Sequence, residues 1–170
     1  MIQDIAPHVY HNEYRPLPPD EDSFPFYFED GQVLAGCQED VLSFPRFRDL
    51  PDGSRELSPD LLYLFYIDTH SFYLARQRPS FDPEHFQMRD TRIFRNGQPG
   101  FMAFAGITAL QLCRWYESRR FCGHCGQVLV HSDQERMLHC PKCGLVEYPK
   151  LSPAVIVGII HQDRILMSKY

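Results

Sequence analysis

The sequence has no long hydrophobic run. None of its windows approaches the roughly 18 consecutive apolar residues of a membrane-spanning helix. The first residues, MIQDIAPHVYHNEY, have no basic segment followed by an apolar one, so they do not resemble a signal peptide. Internal repeats and low-complexity tracts are also absent. These absences predict a cytoplasmic protein without a membrane partner, in which cysteines stay as thiols.

Lysine is scarce, because Lys142, Lys150 and Lys169 are the only lysines among 17 basic residues. The formal net charge is −5, which argues against a nucleic-acid binder with a broadly basic surface and leaves room for a local patch. The sequence contains no P-loop, no GxGxxG motif and no Ser/His/Asp arrangement. The sequence therefore does not indicate a common nucleotide-binding loop or the catalytic chemistry of a serine hydrolase.

What the sequence does contain is two CxxC pairs separated by fourteen residues: Cys122, Cys125, Cys140 and Cys143. Glycine follows each pair and takes the positive φ of a tight turn, in which backbone N–H groups point at thiolates. Two facing CxxC turns predict a tetrahedral structural zinc site. Disulfides are the main alternative, and a four-cysteine iron site shares the spacing. A ribbon this small is expected to need its metal to fold.

The remaining cysteines and the nearby histidines receive structural roles. Cys37 and Cys113 are expected to be ordinary buried or half-buried thiols. His124, His131 and His139 lie close to the cysteines in sequence, but four cysteines already complete a zinc shell. We therefore predict that the three histidines are exposed.

The residues before the cysteines predict a β-rich domain. Alternating phenylalanines and Asp30-Gly31 predict a β-hairpin over 24–35, and a short strand follows over 41–44. The run LLYLFYI over 61–67, a turn at 68–70 and a return strand over 71–76 form a second strand pair. Asp82-Pro83-Glu84 is interpreted as the start of a short helix rather than a carboxylate pair.

The clearest helix is predicted over 101–120, where apolar residues recur at three- or four-residue spacing. It runs directly into the first CxxC pair and is predicted to dock the ribbon on the β-rich domain. Trp115 and Tyr116 are assigned to packing rather than to ligand contacts. Beyond the ribbon, strands over 154–160 and 165–168 predict a hairpin whose apolar face and open edge lack a partner.

These elements give an α+β fold class in four parts. Residues 1–100 form a β-rich N-terminal domain, 101–120 a connecting helix, 121–149 a four-cysteine zinc ribbon, and 150–170 a β-hairpin.

Three stretches resemble the NADH pyrophosphatases of the Nudix superfamily, the NudC-type NAD(H) diphosphatases: AFAGITALQLCRWYESRRFCGHCG, HCPKCG and YPKLSPAVIVGIIHQDRILMSK. The resemblance covers 101–170 closely and 1–100 only weakly. It implies the same order of parts, a homodimer, and a Nudix domain after the ribbon. That family hydrolyses the pyrophosphate of NADH or NAD to nicotinamide mononucleotide and AMP, and some members remove an NAD cap from RNA.

One departure from the family pattern limits the resemblance. The Nudix box, GX5EX7REUXEEXGU, carries the glutamates that hold Mg²⁺ or Mn²⁺, and no window of this sequence contains it. We therefore expect the chain to be the front part of such a hydrolase, with 150–170 as the start of a truncated Nudix domain. Mg²⁺ or Mn²⁺ is expected only in the missing domain, and no catalytic residue is assigned here.

The resemblance also implies candidate substrate-binding residues. Tyr148, directly before Pro149, matches an aromatic residue that stacks on adenine across a dimer, the alternative being a packing tyrosine at the ribbon edge. Glu135 matches a glutamate that touches substrate, the alternative being a solvated carboxylate. Arg46 in SFPRF and Arg92 in DTRIF match basic positions loosely, with Arg89 as a rival for Arg92 and a surface role as the alternative for each.

Two other functions compete with the hydrolase fragment. A non-catalytic zinc-ribbon module would bind nucleic acid or a protein through a basic flank made of Arg114, Arg119, Arg120, Arg136, Lys142 and Lys150. A purely structural dimerisation domain would lack nucleotide affinity. Within the hydrolase reading, NADH, oxidised NAD and NAD-capped RNA all remain open as substrates.

Overall fold

The computed structural model describes residues 2–50 and 61–167, without the side chain of Cys37. In chain order the strands are β1 (Tyr10–His11), β2 (Phe24–Phe26), β3 (Phe28–Glu29), β4 (Gln32–Gln38), β5 (Val41–Ser43), β6 (Leu61–Ile67), β7 (His70–Ala75), β8 (Gln87–Asp90), β9 (Val130–His131), β10 (Leu138–His139), β11 (Val146–Glu147), β12 (Ile160–His161) and β13 (Arg164–Ile165). One α-helix is described, α1 (Gly100–Ser118), with 3₁₀ turns at Phe47–Asp49 and Thr91–Arg95.

The first sheet has the strand order β1-β6-β7-β2. Strands β6 and β7 pair antiparallel, as the LLYLFYI run and the turn after it predicted. The turn places Asp68 at φ 52°, and its carboxylate accepts a hydrogen bond from the backbone N–H of Val9 at 2.8 Å. This bond ties the N-terminal segment to the sheet, where Tyr10 lies opposite Ile67.

The second sheet has the order β3-β4-β5, and β8 also pairs with β4, along residues 32–35. The hairpin predicted over 24–35 is only partly right, because the hairpin around Gly31 begins at β3. Phe24 and Phe26 instead belong to β2, which pairs in parallel with β7 in the first sheet. Their rings stack on Phe72 at centroid distances of 5.1 and 5.6 Å, and burial of these aromatics outweighs the local hairpin pattern.

The short helix predicted at Asp82 is wrong. The Asp82 carboxylate accepts the N–H of Glu84 at 2.9 Å, but the chain makes only a turn there and then enters β8. Residues of β8 pair with β4 from Ala35 opposite Gln87 to Gln32 opposite Asp90. The segment after this turn forms a strand because pairing with β4 satisfies its backbone N–H and C=O groups. The local sequence pattern at Asp82 does not indicate this distant partner.

Helix α1 confirms the predicted connecting helix, within two residues at its C-terminal end. Most of its buried residues join those of both sheets in one core, whereas Trp115 packs with residues of the ribbon. Gly106 lies against the ring of Phe94, so the helix approaches the 3₁₀ turn closely at this point. Among the described residues, no helix is both long and apolar enough to cross a membrane.

The ribbon is a small sheet of order β11-β10-β9. After it, the strand predicted over 154–160 is largely wrong, since only Ile160–His161 and Arg164–Ile165 pair. The predicted hairpin ended at Ser168, which lies outside the described residues. Val155 and Ile156 are 83% and 103% exposed. A β-strand needs a neighbouring strand for its backbone groups, and the described part of the chain offers this segment none.

Candidate functional site

The four cysteine sulfurs of the ribbon converge on one point. All four Sγ atoms lie within 4.8 Å of one another, and three of the pairs are 3.4–3.6 Å apart. Zinc with four thiolates at about 2.3 Å in a tetrahedron implies sulfur separations of about 3.8 Å. The separations are too long for disulfide bonds of about 2.05 Å. Cys122, Cys125, Cys140 and Cys143 thus form a group suited to one structural zinc ion.

The CxxC turns stabilise thiolates through their backbones. The N–H of His124 points at Cys122 Sγ, and the N–H of Cys143 points at Cys140 Sγ, both at 3.4 Å. Burial raises the pKa of the Cys140 thiol, but hydrogen bonds from the N–H groups of Cys143 and Lys142 and from the side chains of Cys125 and Cys143 together lower it to about 6. Gly126 and Gly144 have φ of 72° and 75°, as the turn prediction required.

The exposure predicted for the three histidines holds only for His124. His131 is half-buried, and its Nε2 lies 2.9 Å from the hydroxyl of Tyr116 on α1. His139 is half-buried in β10. Their positions in the small ribbon sheet, rather than metal ligation, bury these two side chains.

The ribbon brings Tyr148 and Glu135 together. The Tyr148 hydroxyl donates a hydrogen bond of 2.9 Å to Glu135 Oε2, and this contact raises the pKa of Tyr148. Tyr148 is 52% exposed, so about half of its surface is accessible to another molecule. Glu135 is held by a turn in which the Ser132 hydroxyl accepts its N–H at 3.4 Å. Residues thirteen positions apart therefore form one exposed unit.

The linker after Tyr148 is fixed to the connecting helix. Gln111 of α1 donates from Nε2 to the carbonyl of Lys150 at 3.3 Å. Pro149 and Lys150 line a small cavity of about 170 Å³ together with residues of α1, among them Trp115. The orientation of Tyr148 is thus set from both sides, by the ribbon turn and by the helix.

The structure places Arg46 and Arg92 apart from this unit. Arg46 bonds Asp22 at 2.7 Å, with its guanidinium 5.1 Å from the centre of the Phe24 ring. Arg92 is 78% exposed at its side chain and pairs with Asp90 at 2.9 Å. In the described chain no hydrogen bond or ion pair joins either arginine to Tyr148 or Glu135. Their substrate role stays a prediction.

Arg136 is the residue whose importance the sequence did not reveal. Its Nη1 donates to Asn12 Oδ1 at 2.7 Å and to the Asn12 carbonyl at 3.2 Å, while Nη2 donates to the carbonyl of Leu64. The guanidinium also lies 5.9 Å from the centre of the Tyr14 ring. These contacts fasten the ribbon turn next to Glu135 onto the first sheet. Because Asn12 lies 124 residues away from Arg136, no local sequence pattern indicates this contact.

Two residues of the basic flank proposed for nucleic-acid binding already contact other residues of this chain. Besides Arg136, Arg119 pairs through Nε with Glu147 Oε2 at 3.6 Å.

The predicted packing roles of Trp115 and Tyr116 are confirmed. Trp115 is 6% exposed within the cluster that contains Cys122 and Cys140. Cys113 is buried, and this burial, with Glu117 beside it, raises its pKa to about 12, so it is an unreactive core thiol.

Comparison with known proteins agrees with this geometry. The NADH pyrophosphatase zinc ribbon domain family matches residues 117–148. The "NAD-capped RNA hydrolase NudC" of Chromobacterium violaceum is 40% identical over 138 residues, which is 81% of this chain and 45% of that protein. Proteins with the same name from Pseudomonas aeruginosa and Pseudomonas putida are 43% and 39% identical over 61 and 105 residues.

These alignments cover 36% and 61% of this chain and 22% and 38% of those two proteins. The chain thus spans less than half the length of the curated relatives it matches. The four cysteines fall inside the matched ribbon. The chain therefore carries the structural zinc ribbon of the NADH pyrophosphatase family and corresponds to the N-terminal portion of NudC proteins.

Proposed function

We propose that this chain is the substrate-recognition and assembly part of a hydrolase that cleaves the pyrophosphate of NAD(H), giving nicotinamide mononucleotide and AMP. NAD-capped RNA is a further substrate of this class, as the names of the relatives suggest. Cleavage itself would require Mg²⁺ or Mn²⁺ held by a Nudix domain beyond the ribbon. We further propose a cytoplasmic homodimer, divided into the four parts 1–100, 101–120, 121–149 and 150–170.

The observation that carries this proposal is the exposed pair formed by Tyr148 and Glu135. A half-exposed aromatic ring is suited to stack on a base, and a carboxylate beside it accepts hydrogen bonds from amino or hydroxyl groups. Both residues belong to the region matched by the NADH pyrophosphatase zinc ribbon family. The zinc ion has a structural role in this scheme, since four cysteine ligands leave no open position for water.

The test compares Tyr148→Ala with Tyr148→Phe in a protein that continues from this chain into an intact Nudix domain. Stacking on a base contributes about 1–3 kcal/mol, so Tyr148→Ala should raise KM for NADH roughly ten- to a hundredfold. Tyr148→Phe keeps the ring and loses only the bond to Glu135, so its KM should stay within about threefold of the original.

Both variants should retain one zinc per chain, which shows that the ribbon is intact. An unchanged KM in Tyr148→Ala would mean that Tyr148 only packs at the ribbon edge, and the nucleotide-binding role would be withdrawn. A matching series with Glu135→Gln separates the carboxylate from the ring, because the amide keeps the shape of the side chain and removes its charge.

A further inference from the structure

A cavity of about 490 Å³ lies where the first sheet, the connecting helix and the ribbon meet. Leu62 and Leu74 come from the sheet, Tyr116 from α1, and Leu129 and Leu138 from the ribbon. The volume falls within the range of roughly 300–1,000 Å³ typical of small-molecule sites. None of the residues proposed above to contact nucleotide lines this cavity. It is therefore separate from the Tyr148 and Glu135 unit.

The charges that line the cavity are mostly positive. They come from Arg76, Arg119, Arg120 and Glu117. Arg119 is already paired with Glu147. Arg76 and Arg120 form no ion pair within the described residues. The charges left at the cavity are thus two positive arginines and one negative glutamate, a net charge of +1.

The polar groups deeper in the wall add no further charge near neutral pH. His131 contacts Tyr116, and burial together with nearby Arg76 lowers the pKa of His131, so the imidazole is neutral. Cys113 is also neutral there, because burial raises the pKa of its thiol. The cavity thus presents leucine walls and a single excess positive charge.

We propose that this cavity binds a small amphipathic carboxylate, with its apolar body against the four leucines and its carboxylate facing Arg76 and Arg120. A guanidinium matches a carboxylate geometrically and can bond it with two parallel N–H donors. A monoanion suits the excess charge of +1, whereas Glu117 would oppose a dianionic phosphate. The three walls belong to different parts of the fold, so an occupant would also link the ribbon to the β-rich domain.

The probe for this site is octanoate, followed through the methyl resonances of labelled leucines in the zinc-loaded chain. We expect saturable shifts at Leu62, Leu74, Leu129 and Leu138. Acetate has the carboxylate without the apolar body, and octanol has the body without the charge. Each should bind at least about tenfold more weakly than octanoate if both halves of the site contribute. Leu151 and Leu166, which are 81% and 71% exposed, report non-specific binding.

The matched variants remove two arginines each. Arg76→Gln with Arg120→Gln should weaken octanoate binding about tenfold. Arg15→Gln with Arg114→Gln removes the same charge from exposed positions that do not line the cavity, and should leave the affinity within about twofold. All four arginines are exposed, so both variants should keep their fold and zinc.

Three results would overturn the proposal. The first is that the cavity leucines do not shift, or that only Leu151 and Leu166 do. The second is that octanol binds as tightly as octanoate. The third is that both double variants bind octanoate equally. Because KM for NADH depends on Tyr148 in the proposed function, failure here leaves that function untouched, and failure of the Tyr148 test leaves this cavity untouched.

Discussion

At the residue scale, Gly106 controls how closely the connecting helix approaches the β-rich domain. A Cβ at position 106 would lie 2.6 Å from Cζ of Phe94, whose ring is 2% exposed. We expect Gly106→Ala to lower the free energy of unfolding by up to about 2 kcal/mol, because overpacking costs about 1–3 kcal/mol and the better helix propensity of alanine offsets about 1 kcal/mol of it. Urea titration measures the difference.

The control for this prediction is Gly100→Ala on the same helix, where an added Cβ meets nothing within 4 Å. That variant should be as stable as the original protein or slightly more stable. If the two alanine variants unfold at the same urea concentration, the close approach between Gly106 and Phe94 does not limit packing.

Single residues of the site divide into those that a sequence can reveal and those that it cannot. The four cysteines were predictable because a CxxC turn is a local structure with its own spacing. Tyr148 and Glu135 were each proposed from the resemblance alone, and no short-range rule predicts the hydrogen bond between them. Arg136 was unpredictable because its partners, Asn12 and Leu64, are brought to it by the docking of the whole ribbon.

At the scale of elements, the ribbon and the end of α1 share one small core that depends on the metal. Trp115, the single tryptophan, packs with Cys122, Leu129, Leu138 and Cys140. Removal of zinc should unfold the ribbon and expose this ring, because the ribbon has little other core. We expect tryptophan emission to shift to longer wavelength on chelation, while the β-rich domain keeps its circular dichroism.

Two cysteine variants sharpen this zinc prediction. Cys140→Ser should lose the metal and show the shifted emission without a chelator. Cys113→Ala changes a buried cysteine outside the cluster, so it should keep one zinc per chain and the original emission. Unshifted emission from zinc-free protein would mean that the ribbon folds without its metal.

Elements were predicted well where local periodicity and burial agree. The three- and four-residue spacing over α1 and the apolar run of β6 each gave the right element. The parallel pairing of β2 and the strand β8 were missed, because both depend on long-range partners that no local pattern specifies. The hairpin after the ribbon is much shorter than predicted, because the apolar residues before Ile160 have no neighbouring strand among the described residues.

At the scale of the whole molecule, the segment after the ribbon leaves a large apolar surface uncovered. Its exposed side chains are Leu151, Val155, Ile156, Val157, Ile159, Ile160, Ile165, Leu166 and Met167. Surfaces of this kind associate in water. We expect the chain to form dimers in sedimentation experiments at a protein concentration of roughly tens of micromolar, which is a routine working range. Val155→Lys with Ile159→Lys should shift it toward monomer, whereas Leu17→Lys, at another exposed position, should not.

A chain that sediments only as monomer at these concentrations would contradict the homodimer. So would an association that the two lysines leave unchanged, since it would have to use another surface.

The whole chain should not hydrolyse NADH. Pyrophosphate cleavage requires neutralised charge on the phosphoryl groups and a water activated near neutral pH, which divalent ions held by clustered carboxylates supply. The glutamates of this sequence are scattered, and no two stand three or four residues apart. In the part of the chain that the structure describes, the cluster able to hold a metal is the four-cysteine group.

That cluster cannot replace the missing carboxylates, because a zinc ion with four thiolates has no position left for water. The assay supplies NADH with Mg²⁺ or Mn²⁺ and follows AMP release by chromatography, with a protein that includes an intact Nudix domain as positive control. Metal-dependent turnover by this chain at a rate comparable to the control would refute the prediction. Turnover that persists in Cys140→Ser would further place the chemistry outside the ribbon, because that variant lacks the zinc site.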